Sequence, residues 1–234
     1  MNDRPLVIFD CDGVLVDSEP VSVRVLVTAL NRHGIDMAEE EAYSRFLGRS
    51  LATMTQVMDE EYGFHTGPAF LEGLRLDLYE RFRTELQAIA GIADTVDRLG
   101  CAYCVASSSQ PERIRLSLSL TGLLKRFEPH IFSASMVENG KPAPDLFLHA
   151  AEKMGYDPAN CIVVEDSPAG IEAAQRAGMT ALAFTGGSHT YVTGYRDRIE
   201  ALQPDAIFDA MPELLHLVQK YSDDRKGSVA SRSL

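Results

Sequence analysis

A chain of 234 residues, 45% of them hydrophobic, can bury one good core with a smaller second domain beside it, which excludes disorder of the whole chain. A formal net charge of -12, from 34 acidic against 22 basic residues, argues against nucleic-acid or anionic-membrane partners, so an anionic ligand needs local cations to recruit it. No run reaches the roughly 20 apolar residues that span a bilayer, and the N-terminus lacks the plan of a signal peptide; a cytoplasmic protein, monomer or weak homodimer, is expected.

Leu6 to Phe9 is a short apolar run that reads as a buried parallel strand, with two acids, Asp10 and Asp12, at its end. Ser18 offers an N-cap, with Glu19 and Pro20 in the first turn of a helix. From there to Leu86 the pattern is helical throughout, in pieces at Glu19 to His33, Ala38 to Phe46, Ser50 to Tyr62 and Pro68 to Leu86. Beyond Ile89 strands alternate with helices. Strands are expected at Ala102 to Ser107, Ile131 to Ser133, Cys161 to Val164 and Thr180 to Phe184; helices at Glu112 to Leu120, Pro144 to Met154, Ala169 to Ala177 and Pro212 to Tyr221.

That alternation predicts an α/β fold, a doubly wound (Rossmann-like) parallel sheet. The helical block interrupts it after the first strand. The layout is therefore a core of residues 1 to 16 and 88 to 221, an inserted helical cap of residues 17 to 87, and a polar tail of residues 222 to 234 that adds nothing to the core. Cys101 and Cys104 spell C-x-x-C, but with no second pair and no His at finger spacing they read as core packing.

In open α/β sheets ligands sit beyond the carboxyl ends of the strands. The polar residues there are Asp10 and Asp12, then Ser107, Ser108 and Ser109, then Asn139, Gly140 and Lys141, then Glu165 and Asp166. Singly, each is as readily a turn former, a cap or solvated surface. Carboxylates paired after apolar strands are harder to place without compensation, and hard oxygen ligands from separate strand ends suit Mg²⁺.

The segments DCDGVLVDSEP, VASSS, GKPAPD and VVEDSPAGI resemble, in order, the four motifs of the haloacid dehalogenase superfamily, in its capped phosphatase and phosphomutase branch. The likeness covers nearly the whole chain up to the tail. It implies that Asp10 is the nucleophile that becomes an aspartyl phosphate and Asp12 the general acid and base. Ser107 and Lys141 would hold the phosphoryl oxygens, with Gly13 and Ser108 beside them. It further implies that Mg²⁺ is bound by Asp10, Glu165 and Asp166, and by the backbone carbonyl of Asp12. Ser167 and Pro168 open a helix whose positive end lies near these acids.

Asp12 argues against the dehalogenases, which lack an acid there. The absence of any lysine between residues 17 and 87 argues against phosphonate hydrolysis. Ser22 stands where the β-phosphoglucomutase-like mutases carry a histidine, so phosphatase is favoured, with mutase and a non-catalytic phosphosugar-binding module as alternatives. In the cap, FLGRS resembles a specificity loop, so Gly48 and Arg49, with Glu19, are expected to bind the substrate, Arg49 through a second anion. The cap and LQAIAGI are similar to those of 6-phosphogluconate phosphatases; phosphoglycolate is the alternative substrate.

Overall fold

Every residue of β1 (Leu6–Phe9) is buried, as an uninterrupted apolar run requires of a strand covered on both faces. In the computed structural model, which describes residues 4–46 and 51–231 (side chains of 51–53 and 224–231 excepted), β1 pairs in parallel with β2 (Ala102–Ser107) on one side and β4 (Cys161–Glu165) on the other. β3 (Ile131–Ser133) lies outside β2, and β5 (Thr180–Phe184) and β6 (Ala206–Phe208) lie outside β4. The six strands run in the order β3-β2-β1-β4-β5-β6, all parallel, which is the doubly wound arrangement.

Between β1 and β2 come α1 (Glu19–Arg32), α2 (Glu39–Phe46), α3 (Leu51–Tyr62), α4 (Pro68–Glu85) and α5 (Ile92–Arg98). Then follow α6 (Pro111–Leu120), α7 (Leu124–Phe127), α8 (Asp145–Met154), α9 (Pro168–Arg176), α10 (Tyr195–Glu200) and α11 (Leu214–Ser231). Successive strand residues point to opposite faces. Val7, Phe9, Val105 and Val164 therefore pack in one layer with α5, α6, α7 and α11. Ile8, Cys104 and Val163 pack in the other layer with α8, α9 and α10. A third apolar cluster, with Leu26, Leu30, Met37, Phe46 and Met58, belongs to the helical block alone.

The chain leaves the sheet after β1 and returns before β2 along adjacent paths. Asp17 N donates to Gln87 O at 2.9 Å and Ile89 N to Leu15 O at 3.0 Å, and Val16 and Ala88 form an antiparallel bridge. Both crossings between helical block and sheet are thereby fastened to each other, close to the carboxyl end of β1.

Several expectations need correction. Ser18 precedes α1 but makes no capping bond; its own backbone is already right-handed helical, and its hydroxyl is committed elsewhere, to Asp12. The closing helix does not stop at Tyr221 but runs to Ser231, sustained in its middle by a Gln219 to Asp223 hydrogen bond one turn apart. The elements absent from the sequence reading, α5, α7, α10 and β6, have three to seven residues each, too few for a period to register. Cys101, just before β2, and Cys104, within it, pack in opposite layers as free thiols, so C-x-x-C is core packing.

Phe127 anchors one layer, edge-on to Phe9 at 5.9 Å and to Tyr103 at 5.4 Å. Phe127→Ala is expected to lower the unfolding free energy by roughly 3–5 kcal/mol in urea titration. A loss below about 1 kcal/mol would contradict this packing.

Candidate active site

The strand order turns back at β1 and β4, so the crevice beyond their carboxyl ends is the place where residues from both halves of the sheet meet. Asp10 follows β1, Glu165 ends β4 and Asp166 is next. All three are buried, and each offers an oxygen within 4.8 Å of the others. Carboxylates this close repel one another and lose hydration, which together cost several kcal/mol unless a cation answers them.

Lys141 is that cation. It comes from the loop between β3 and α8, with 4% of its side chain exposed. Nζ donates to Asp10 Oδ1 at 2.5 Å, to Glu165 Oε1 at 2.6 Å and to the backbone oxygen of Ala106 at 3.1 Å. It also stands 4.9 Å from the centre of the Phe147 ring. Burial disfavours the ammonium, but the Asp10 and Glu165 carboxylates outweigh it and hold Lys141 charged beyond the usual lysine range. Asp10 shows the opposite balance. Burial pushes its carboxyl well up, Lys141 pulls it down, and Glu165, Asp166 and Asp12 push it up again.

Glu165 is held on both oxygens. While Oε1 accepts from Lys141, Oε2 accepts from the backbone N of Ser167 at 2.7 Å and from its hydroxyl at 2.9 Å. That hydroxyl in turn accepts from Gly170 N, capping α9, so the helix start expected at Ser167 and Pro168 does lie beside the acids. Gly170 is required there, because a Cβ would come 1.8 Å from Glu165 Oε1.

Asp12 belongs to a different set of contacts. Its Oδ1 accepts from Ser18 at 2.6 Å and from Arg113 at 2.8 Å, and its Oδ2 accepts from Ser109 at 2.6 Å. Burial raises its carboxyl, but Arg113 and these hydrogen bonds reverse the effect and leave it below the usual range. Arg113 stands on α6, with its guanidinium 5.4 Å from the Phe82 ring of α4, and so touches both the sheet domain and the helical block.

The two acids spaced two apart on one strand end thus face different environments. Directly after Asp12, Gly13 has φ +82, and a Cβ there would fall 2.1 Å from Asp166 Oδ2, so the backbone can pass the cluster only at glycine. Near the same crevice Glu19, in the first turn of α1, has its carboxyl lifted to about 7, chiefly by burial, with His189 pulling against and Asp12 pushing further.

The crevice brings together Asp10, Asp12, Gly13, Lys141, Glu165 and Asp166, with Glu19 at its edge. Ser107 is buried at the end of β2, where its hydroxyl accepts from Ser109 N at 3.1 Å; Ser108 is exposed. Asp12 joins the acidic cluster with neither carboxylate oxygen. Gly48 and Arg49 lie outside the described residues. Sequence reasoning missed Arg113, Ser18 as a partner of Asp12, and His189, whose Nε2 is 2.7 Å from Asp166 Oδ2. The available signal for His189 was the polar segment GGSH directly after the β5 strand.

Three buried carboxylates against one ammonium leave negative charge unbalanced in a low-dielectric site. Their oxygen donors, converging from two strand ends, fit a hard divalent cation.

The family model for haloacid dehalogenase-like hydrolases matches residues 7–184. A 6-phosphogluconate phosphatase of Escherichia coli is 33% identical over 184 residues, covering 78% of this chain and 83% of the relative. Hexitol phosphatase A of the same organism is 30% identical over 188 residues, with 78% and 84% covered. A haloacid dehalogenase-like protein of unknown function from Agrobacterium tumefaciens superposes with a TM-score of 0.82 at 34% identity, over 93% of this chain and 98% of the other. A family hydrolase from Deinococcus radiodurans, solved with bound phosphate and sodium, gives 0.76 at 28% identity over 94% and 97%. With that match over most of its length, and with Asp10, Lys141, Glu165 and Asp166 gathered at the turning point of the sheet, this chain belongs to the haloacid dehalogenase-like hydrolases.

Proposed function

We propose that the protein is a Mg²⁺-dependent phosphatase of a small phosphorylated sugar or sugar acid, working through an aspartyl phosphate on Asp10. The chain is a phosphoric monoester hydrolase. The observation that carries the finer reading is the pairing of Asp10 with Lys141 at 2.5 Å inside a buried acidic cluster. A carboxylate is a poor nucleophile towards a phosphate dianion, since both are negative, and fixed positive charge beside it makes the approach feasible. Mg²⁺, held by Asp10, Glu165 and Asp166 and by the Asp12 carbonyl, would supply the remaining neutralisation.

In the first step an Asp10 oxygen attacks phosphorus and the ester oxygen departs with a proton from Asp12. In the second, Asp12 takes a proton from water as that water attacks phosphorus, releasing inorganic phosphate and restoring the Asp10 carboxylate. A general acid contributes roughly 10²- to 10⁴-fold to such a transfer. The contacts from Arg113, Ser18 and Ser109 favour ionised Asp12, the form the second step needs. Donation in the first step requires that some of these contacts loosen as substrate arrives.

All three N–H groups of Lys141 are directed at protein, so it acts on the phosphoryl group through charge until substrate displaces one of them. Ser107, accepting from Ser109 N, keeps its proton to donate to a phosphoryl oxygen, next to the Ser108 and Gly13 backbones. The helical block is the cap that closes over the crevice and excludes water, hinged where the two crossings pair. Glu19, Gly48 and Arg49 would read the rest of the substrate. The relatives named 6-phosphogluconate phosphatase and hexitol phosphatase A support a polyhydroxylated carbon chain. The mutase alternative is disfavoured by Ser22, whose hydroxyl stands 3.4 Å from Arg113 in place of a histidine.

Three outcomes test this reading. Asp10→Asn is expected to abolish phosphate release from p-nitrophenyl phosphate with the circular dichroism spectrum unchanged; a rate within about tenfold of wild type would remove Asp10 as nucleophile. A chelator is expected to stop turnover and added Mg²⁺ to restore it, whereas activity that survives exhaustive chelation would rule out the metal. Across a panel of sugar and sugar-acid phosphates, Arg49→Ala is expected to raise KM most for substrates with a second anion. Equal increases for those and for simple monoesters would show that Arg49 does not read the distal group.

A further inference from the structure

His189, which no motif of the sequence covers, lies against the acidic cluster with 0% of its side chain exposed. Its Nε2 is 2.7 Å from Asp166 Oδ2, although neither ring nitrogen has a partner in hydrogen-bond geometry. A bare lone pair facing a carboxylate oxygen at that distance would be repelled, so Nε2 carries the proton. The contact is off the line of an ideal hydrogen bond, so the N–H holds the oxygen by close polar approach.

The chain holds this ring by means independent of the Asp166 carboxylate. Gly13 and Gly187 make the slot: a Cβ on either would come 2.8 Å from His189 Cε1. Tyr195 stands edge-on at 5.3 Å and 83°, and its hydroxyl donates to the backbone oxygen of Asp166 at 3.2 Å. The preceding residue, Ser188, donates from its backbone N to Asp17 Oδ1 at 3.1 Å and from its hydroxyl to the same carboxylate, tying the loop to the chain leaving β1. A side chain fixed from four directions can orient another that is not.

We propose that His189 is a positioning residue for the metal site: it holds one oxygen of Asp166 and so fixes that carboxylate in the orientation in which it joins Asp10 and Glu165. The inference rests on the metal reading above. A carboxylate with one oxygen held has fewer orientations to lose when a cation binds, and removing such a partner typically costs 10- to 100-fold in metal affinity.

Calorimetric titration of Mg²⁺ into the substrate-free protein reads this without turnover. His189→Phe keeps a flat ring of similar size and removes the donor; its Mg²⁺ affinity is expected to fall about 10- to 100-fold. His189→Ala, which fills no space, carries the same expectation should the phenylalanine distort the slot. His189→Gln retains an N–H and is expected to stay within roughly threefold of wild type. Unchanged affinity in the folded Phe or Ala variant overturns the proposal, and so does an equal loss in the Gln variant. Failure of the wild-type protein to bind Mg²⁺ would instead overturn the metal reading itself.

Discussion

The ammonium of Lys141, set between the Asp10 and Glu165 carboxylates, is the interaction on which the crevice depends. Three buried acids at the ends of two neighbouring strands would otherwise force one of them to take up a proton or the segment to move into water. The sheet makes the encounter unavoidable, because β1 and β4 are adjacent and their carboxyl ends coincide in register. Lys141 reaches the same point from a loop beyond β3, across the width of β2. Removing it would leave an uncompensated buried charge, which is why such a pair is costly to break even where its net contribution to stability is small.

One strand end supplies two acids with opposite tendencies. Asp10 is driven upward by burial among other carboxylates, and Asp12 is held down by Arg113 and two serines, although the two are separated by one residue. Left as they stand these tendencies oppose the proposed roles, since a nucleophile needs its charge and an acid its proton, so the proposed cation on Asp10 and the arriving substrate at Asp12 would have to reverse both. The same arrangement joins chemistry to substrate access. Arg113 and Ser18 both bear on Asp12, and both sit where the helical block meets the sheet domain, so displacement of that block acts directly on the proposed acid and base.

The sheet was legible because its strands are continuous apolar runs ended by polar residues, and the four helices after β1 because glycines punctuate them. Short elements such as β6 and α7 carry no readable period. Of the crevice, the residues at strand ends could be found by position: Asp10, Asp12, Lys141, Glu165 and Asp166. Arg113 was invisible for a physical reason. It stands one residue into a helix pattern where a charged side chain reads as solvated surface, and only the tertiary fold shows that its guanidinium turns inward onto Asp12. His189 lies beyond a strand that ends at Phe184 with no acid after it, so the polar segment GGSH was the signal available and it did not mark a neighbour of Asp166. Ser18 illustrates the converse: the residue type was right for a cap, but its hydroxyl turns to donate to Asp12 instead of accepting from the N–H groups of α1.

The central claim is that phosphorus passes through Asp10, and the steric course of the reaction tests it most directly. Hydrolysis of an isotopically chiral thiophosphate monoester, in water labelled with the third oxygen isotope, should proceed with overall retention at phosphorus, since two in-line displacements each invert the centre. Inversion would mean that water attacks the substrate in one step, and the account of Asp10 as a nucleophile would be wrong.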